Sequence, residues 1–126
     1  MLSDKDYCDY ETSVALKELG YDGCCAAYYH LYDDEYDARN SFEYACGFDF
    51  QNSNNIYRVG APLLYQAQKW LREEKDFIVL VDHILTEDGD WCYNITHLGR
   101  SAKVFKSYEE ALSEGVKCAV KLLKEK

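Results

Sequence analysis

Residues Arg58–Phe77 read RVGAPLLYQAQKWLREEKDF, and how this stretch is read decides the fold. Pro62, the only proline of the chain, suits a first helical turn, where its fixed φ fits and its missing N–H costs nothing. From there Leu63, Leu64, Ala67, Trp70 and Leu71 recur at three- and four-residue spacing, while Gln66, Lys69, Arg72 and Glu73 face away. One apolar stripe on an otherwise polar helix is the pattern of a helix laid on a sheet. Trp70 and Leu71 are the expected anchors, and a fully buried Trp70 would contribute on the order of 3–5 kcal/mol.

The sheet should follow at once. Phe77–Thr86 (FIVLVDHILT) and Trp91–Leu98 (WCYNITHL) are β-rich runs that flank Glu87-Asp88-Gly89-Asp90. Asp-Gly between such runs is a strong hairpin signal, because a type I′ turn needs positive φ at both central residues. With Asp88 and Gly89 as the loop, paired residue numbers sum to 177. That register sets Leu80, Ile84, Trp91, Tyr93 and Ile95 on the expected core face, and Val79, Val81, His83, Asn94 and Thr96 on the other. A last helix opens at Ser107, with Glu110 completing a capping box. Its stripe is Tyr108, Ala111, Leu112, Gly115, Ala119 and Leu122, and Lys121, Lys124 and Lys126 suit its negative end.

Upstream of the quoted stretch, Asp9 can cap a short helix whose inward residues are Thr12, Ala15, Leu16 and Leu19, with Gly20 as its left-handed stop. Cys24–Tyr32 (CCAAYYHLY) reads as a strand, and Ser41–Phe48 (SFEYACGF) as a weaker strand paired with it. Gln51–Asn55 (QNSNN) is a loop signal. The halves share a plan, since the segments from Ala15 and from Ala67 both run helix, strand, acidic turn, strand, though their identity is slight. The expected fold is α+β: a single two-layer domain over residues 1–126, in the order αββ-αββ-α. Its sheet would be antiparallel, of about four strands, with the helices on one face. The alternative is a three-stranded sheet with CCAAYYHLY packed separately.

A chain of 126 residues can bury about two-thirds of its unfolded surface without metal or disulfide staples. Fourteen Lys and Arg against 23 Asp and Glu leave a net charge of −9 and a pI near 4.7. This balance argues against direct nucleic-acid binding, which draws its affinity from cations that displace counterions, and against an anionic membrane as partner. The first residues, MLSDKDYCDYETS, carry neither a basic nor an apolar leader region, so the expected location is cytoplasmic. In that compartment Cys8, Cys24, Cys25, Cys46, Cys92 and Cys118 are expected as free thiols.

Chemistry-bearing patterns are sparse. Adjacent Cys24 and Cys25 point to opposite faces of a strand and make a poor ligand pair, so no metal and no cofactor is expected. His30, His83 and His97 are the only histidines. Asp82 points away from His83, so that pair is no ready-made dyad, and what is left is a Cys–His pair formed in the tertiary fold, for instance Cys46 with His30 across the first hairpin. Asp33, Asp34, Glu35 and Asp37, and Glu87, Asp88 and Asp90, lie at turns, where carboxyls are solvated rather than tuned for acid catalysis. No catalytic residue is assigned.

Tyrosine is the unusual feature: twelve residues, crowded in the first half beside the acidic turn. Large amphipathic rings are enriched at protein interfaces. Tyr28, Tyr29, Tyr32, Asp33, Asp34, Glu35 and Tyr36 are therefore the expected binding surface, with strand alternation sending part of the tyrosines into the core.

At YETSVALKELGYDG, APLLYQAQKWLREEKDF and KSYEEALSEGVKCAVKLL the chain resembles a family of small uncharacterised proteins from gut Bacteroidetes and their phages, in which similar segments follow in the same order. The resemblance implies an accessory or host-interaction role, and it carries no activity, ligand or catalytic residue. The leading expectation is a non-enzymatic module that binds a protein partner through its Tyr- and acid-rich surface, with a homodimer as a subordinate version. A small Cys/His-dependent enzyme or metal-binding protein is one alternative. An acidic inhibitor that mimics DNA, its carboxylates standing for phosphates, is another.

Overall fold

The computed structural model describes residues 3–30, 41–52, 57–84, 90–96, 98–101 and 103–125. It is a mixed α+β structure in which the chain resolves into two compact units, Met1–Leu63 and Leu64–Lys126. The strands form two three-stranded antiparallel sheets instead of one sheet of about four. The difference arises because each half contains a third short strand that pairs within its own half.

In the first unit, helix α1 (Tyr10–Glu18) starts where Asp9 Oδ1 accepts the Thr12 N–H at 2.9 Å. It stops at Leu19, after which Gly20 takes φ +104°. Both ends are as the sequence predicts. Strands β1 (Ala27–His30), β2 (Glu43–Tyr44) and β3 (Arg58–Gly60) lie in the order β2-β1-β3, so the strand within CCAAYYHLY is central. Period-two alternation sends Ala27 and Tyr29 into the core, where they meet Val59, Ala61, Leu63 and Tyr7, with Tyr10, Val14 and Phe42 packed against them. The Asn52 amide, buried in the loop after β2, donates to the Tyr21 carbonyl at 2.9 Å and accepts the Gly60 N–H at 2.8 Å. One side chain thereby satisfies two backbone groups that no strand reaches.

Arg58–Phe77 turns out to be a strand followed by a helix. Arg58, Val59 and Gly60 form β3 against β1, and Leu63 bridges Tyr7. Pro62 stands ahead of the helix, fully buried, with its carbonyl accepting the Cys8 N–H at 2.8 Å. The helix begins only at Leu64.

The second unit consists of α2 (Leu64–Lys75), β4 (Val79–His83), β5 (Trp91–Ile95), β6 (Gly99–Arg100) and α3 (Tyr108–Lys124), with sheet order β4-β5-β6. Leu64, Ala67 and Leu71 are the buried residues of α2. Trp70 is only half-buried, with the Lys75 ammonium 5.5 Å from its ring centroid, and is not the expected anchor. Ser107 Oγ caps α3 by accepting the Glu110 N–H at 3.1 Å, and Ala111, Leu112, Gly115, Val116, Ala119 and Val120 are buried beneath it. Gly115 lets the helix approach closely: a Cβ there would lie 2.7 Å from Val79 Cγ1 and 3.0 Å from Tyr93 Cβ.

The β4–β5 hairpin forms, but in another register. Val79 pairs with Ile95 and Val81 with Tyr93, so paired numbers sum to 174 instead of 177. Ile84 N–H donates to the Asp90 carbonyl at 2.7 Å, and the Asp88-Gly89 turn expected between them lies outside the described residues. An odd shift exchanges the faces of one strand relative to the other. Val79 is therefore buried on the α3 side with Ile95 and Tyr93, while Leu80, expected in the core, is 53% exposed.

Candidate functional site

The same alternation that buries Tyr29 places Tyr28 and His30 on the opposite face of β1. Glu43 of β2 and Gly60 of β3 stand opposite Tyr28, and Arg58 of β3 stands opposite His30. Three strands thus present a phenol, an imidazole, a carboxylate and a guanidinium on one face, each fixed by a backbone ladder.

Their contacts form one cluster. Tyr28 OH donates to Glu43 Oε2 at 2.9 Å, and His30 Nε2 lies 3.2 Å from the same oxygen. The Arg58 guanidinium carbon sits 4.9 Å from the Tyr28 ring centroid, a cation–π distance. Phe50 stacks on Tyr28 with centroids 5.0 Å apart and planes 19° from parallel. Gly60 makes room for that ring, because a Cβ would come within 3.2 Å of Phe50 Cδ1 and 2.7 Å of Cys25 Sγ. Phe50 is held from behind by reciprocal backbone bonds with Cys25, at 2.7 and 3.2 Å.

The electrostatics follow from these partners. The hydrogen bond to Glu43 holds the Tyr28 phenol above its ordinary pKa, and the bonds from Tyr28 and His30 hold the Glu43 carboxyl below its own. Tyr28 stays protonated, as a donor, and Glu43 stays an anion. Glu43 is 55% exposed, so this carboxylate lacks the desolvated pocket that general acid chemistry requires. The arrangement suits recognition: a rigid ring with a polar tip, flanked by charges of both signs and open to a partner.

Of the expected binding residues, Tyr28 lies at the centre of this cluster. Tyr29 is buried at 6% exposure, its hydroxyl donating to the Cys8 carbonyl at 2.9 Å and its ring edge-on to Tyr10 and Phe42; it belongs to the core and not to a contact surface. Tyr32, Asp33, Asp34, Glu35 and Tyr36 lie outside the described residues. The register sets Ser41, not Cys46, beside His30, with Ser41 Oγ accepting the His30 N–H at 2.8 Å, so the Cys46–His30 pair does not assemble. Asp82 bonds the Asn94 amide, while His83 packs on Trp91 with ring centroids 4.6 Å apart. His97, Glu87 and Asp88 are outside the described residues, and Asp90 pairs with Lys106 at 3.0 Å.

All six cysteines are free; Cys24 and Cys46 are exposed, and Cys8, Cys25 and Cys92 buried. Burial pushes the Cys25 thiol up to about 12 and Cys8 higher, so neither is a nucleophile at neutral pH. Among the described residues no group of three or more His, Cys, Asp or Glu side chains is placed to hold a metal ion. Nor is any described helix long and apolar enough to cross a membrane.

Sequence reasoning missed Glu43, Arg58 and Phe50 as members of the site. Glu43 was legible in principle, as the acid inside a strand paired with β1. Arg58 was hidden by its place at the head of a helical pattern. Comparison of the chain with protein-family models, with curated proteins and with solved structures gives no match.

Proposed function

We propose that the chain is a non-enzymatic module that binds a protein partner, and that the face carrying Tyr28, His30, Glu43 and Arg58 is its contact surface. The observation that supports this reading is the guanidinium–tyrosine–carboxylate cluster, held by three strands and open to solvent. Tyrosine and arginine are the residue types that most often anchor interfaces, because they combine large rigid area with directed hydrogen bonds. Asp33, Asp34, Glu35 and Asp37 sit in the chain between β1 and β2, so the acidic residues follow the cluster directly in sequence. A partner surface with basic groups and an aromatic pocket would complement both. The resemblance to phage-borne proteins supports placing the module in an accessory or host-interaction role in the cytoplasm.

Affinity capture from host cells tests this with tagged wild-type protein beside Tyr28→Phe, Glu43→Gln and Arg58→Ala. A protein retained by wild type and reduced by Arg58→Ala supports the reading. Equal recovery by all four forms, each with an unchanged melting temperature, removes its basis. A single monomeric mass in solution would exclude the homodimer version.

A further inference from the structure

The second unit carries a cleft of about 550 Å³ at the place where both of its helices end. Phe77, Leu98 and Leu122 form its apolar walls, and Lys75, Asp76 and Glu125 line it at the helix ends. Thr96 also lines it, but its hydroxyl is already engaged with the Ile78 backbone, at 3.2 Å to the N–H and 3.3 Å to the carbonyl. A volume of this size lies within the range of small-molecule sites and is far larger than a metal ion needs.

The charges around the cleft are not balanced. Helix α2 ends at Lys75 and α3 at Lys124, so the carbonyl ends of two helices, each carrying partial negative charge, finish beside the cleft. Asp76 and Glu125 follow directly, and among the described residues neither has an ion-pair partner. Asp76 is held there by a left-handed backbone at φ +57°, a conformation that Asp and Asn adopt more readily than most residues. The remaining charge, Lys75, turns its ammonium toward the Trp70 ring, which does not line the cleft.

We propose that this cleft binds a small organic cation, an ammonium group on an apolar body of about ring size. The body would lie against Phe77, Leu98 and Leu122. The ammonium, with three donors to satisfy, would meet the two carboxylates and the carbonyl ends of the helices. An anion of the same shape meets two like charges, against one Lys75 ammonium turned toward Trp70, and a neutral analogue leaves the carboxylates without a counter-ion.

The test is titration of the ¹⁵N-labelled full chain with phenethylamine, with 2-phenylethanol and phenylacetate as the neutral and anionic analogues. The expected result is saturable shifts at the amides of Asp76, Phe77, Thr96, Leu98 and Glu125, with phenethylamine binding about two- to fivefold more tightly than either analogue, as for a partly exposed ion pair. Asp76→Asn, which suits the same backbone, combined with Glu125→Gln should reduce phenethylamine to the affinity of 2-phenylethanol. Equal binding of the three compounds, shifts elsewhere only, or no saturation would overturn the proposal. The comparison of compounds on the wild-type chain stands even if the double variant fails to fold.

Discussion

Tyr28 and Glu43, opposite each other on neighbouring strands, share a hydrogen bond of 2.9 Å in which the phenol donates and the carboxylate accepts. Each fixes the other's protonation state: the phenol is held above its ordinary pKa and the carboxyl below its own. Replacing Glu43 by Gln should return the Tyr28 titration toward that of a free phenol. The ¹³Cζ resonance of Tyr28 followed against pH reads this directly. An unchanged midpoint would mean that the bond does not form in solution.

Stability should fall in alkali. Burial raises Cys25 and Tyr93 to about 12, and it raises Cys8, Tyr21 and Tyr29 as well. In the unfolded chain thiols lose protons near pH 8.5 and phenols near 10. The folded state therefore binds more protons above those values, and stability falls as pH rises through this window. The contribution of these groups is fully present below about pH 8.5 and declines progressively toward pH 12. Denaturant midpoints measured from pH 7 to 11 should be level at first and then drop. A level profile through pH 11 would contradict the burial of these groups.

Register in the second hairpin is open to a two-variant test. Val79 is 1% exposed and faces α3, whereas Leu80 is 53% exposed. Val79→Ala should cost about 2 kcal/mol, from two lost methyl-sized groups and the cavity they leave. Leu80→Thr should stay within about 0.5 kcal/mol of wild type. The reverse order, by chemical denaturation, would restore the register set by an Asp88-Gly89 turn.

Much of the fold was legible in the sequence where local signals act alone. The caps at Asp9 and Ser107 and the stop at Gly20 depend on residues within a few positions of each other, and the structure agrees with them. The helix stripes hold in part: Leu64, Ala67 and Leu71 of α2 and Ala111, Leu112, Gly115 and Ala119 of α3 are buried, whereas Trp70 is half-buried, Tyr108 is 41% exposed, and Val116 and Val120, outside the expected stripe, are buried. What failed was non-local. β3 is three residues long and pairs with a strand far earlier in the chain, so nothing in Arg58-Val59-Gly60 by itself separates it from the helix that follows. The Asp-Gly signal fixed attention on a two-residue turn, whereas the pairing is set by the burial of Val79 and Ile95 against α3. The candidate site suffered in the same way. Tyr28 was visible on β1, but Arg58 and Phe50 reach it only through pairings across the sheet.

Asn52 should be among the costlier polar residues to lose. Its amide serves the Tyr21 carbonyl and the Gly60 N–H, and it is 5% exposed. Asn52→Ala would leave two buried backbone groups unsatisfied, at about 1–3 kcal/mol each. A loss of about 2–6 kcal/mol is expected, with parallel weakening of the Tyr28 cluster, since Gly60 lies opposite Tyr28. A near-neutral result would show that water replaces the amide.

The contact surface itself is tested most directly by site-specific photo-crosslinking in host cells, with p-benzoylphenylalanine introduced at Tyr28 and, as a control, at the exposed Tyr65 of the second unit. The account predicts a discrete crosslinked protein from position 28, suppressed by Arg58→Ala and absent from position 65. No adduct at position 28, or the same adducts from both positions, would contradict it.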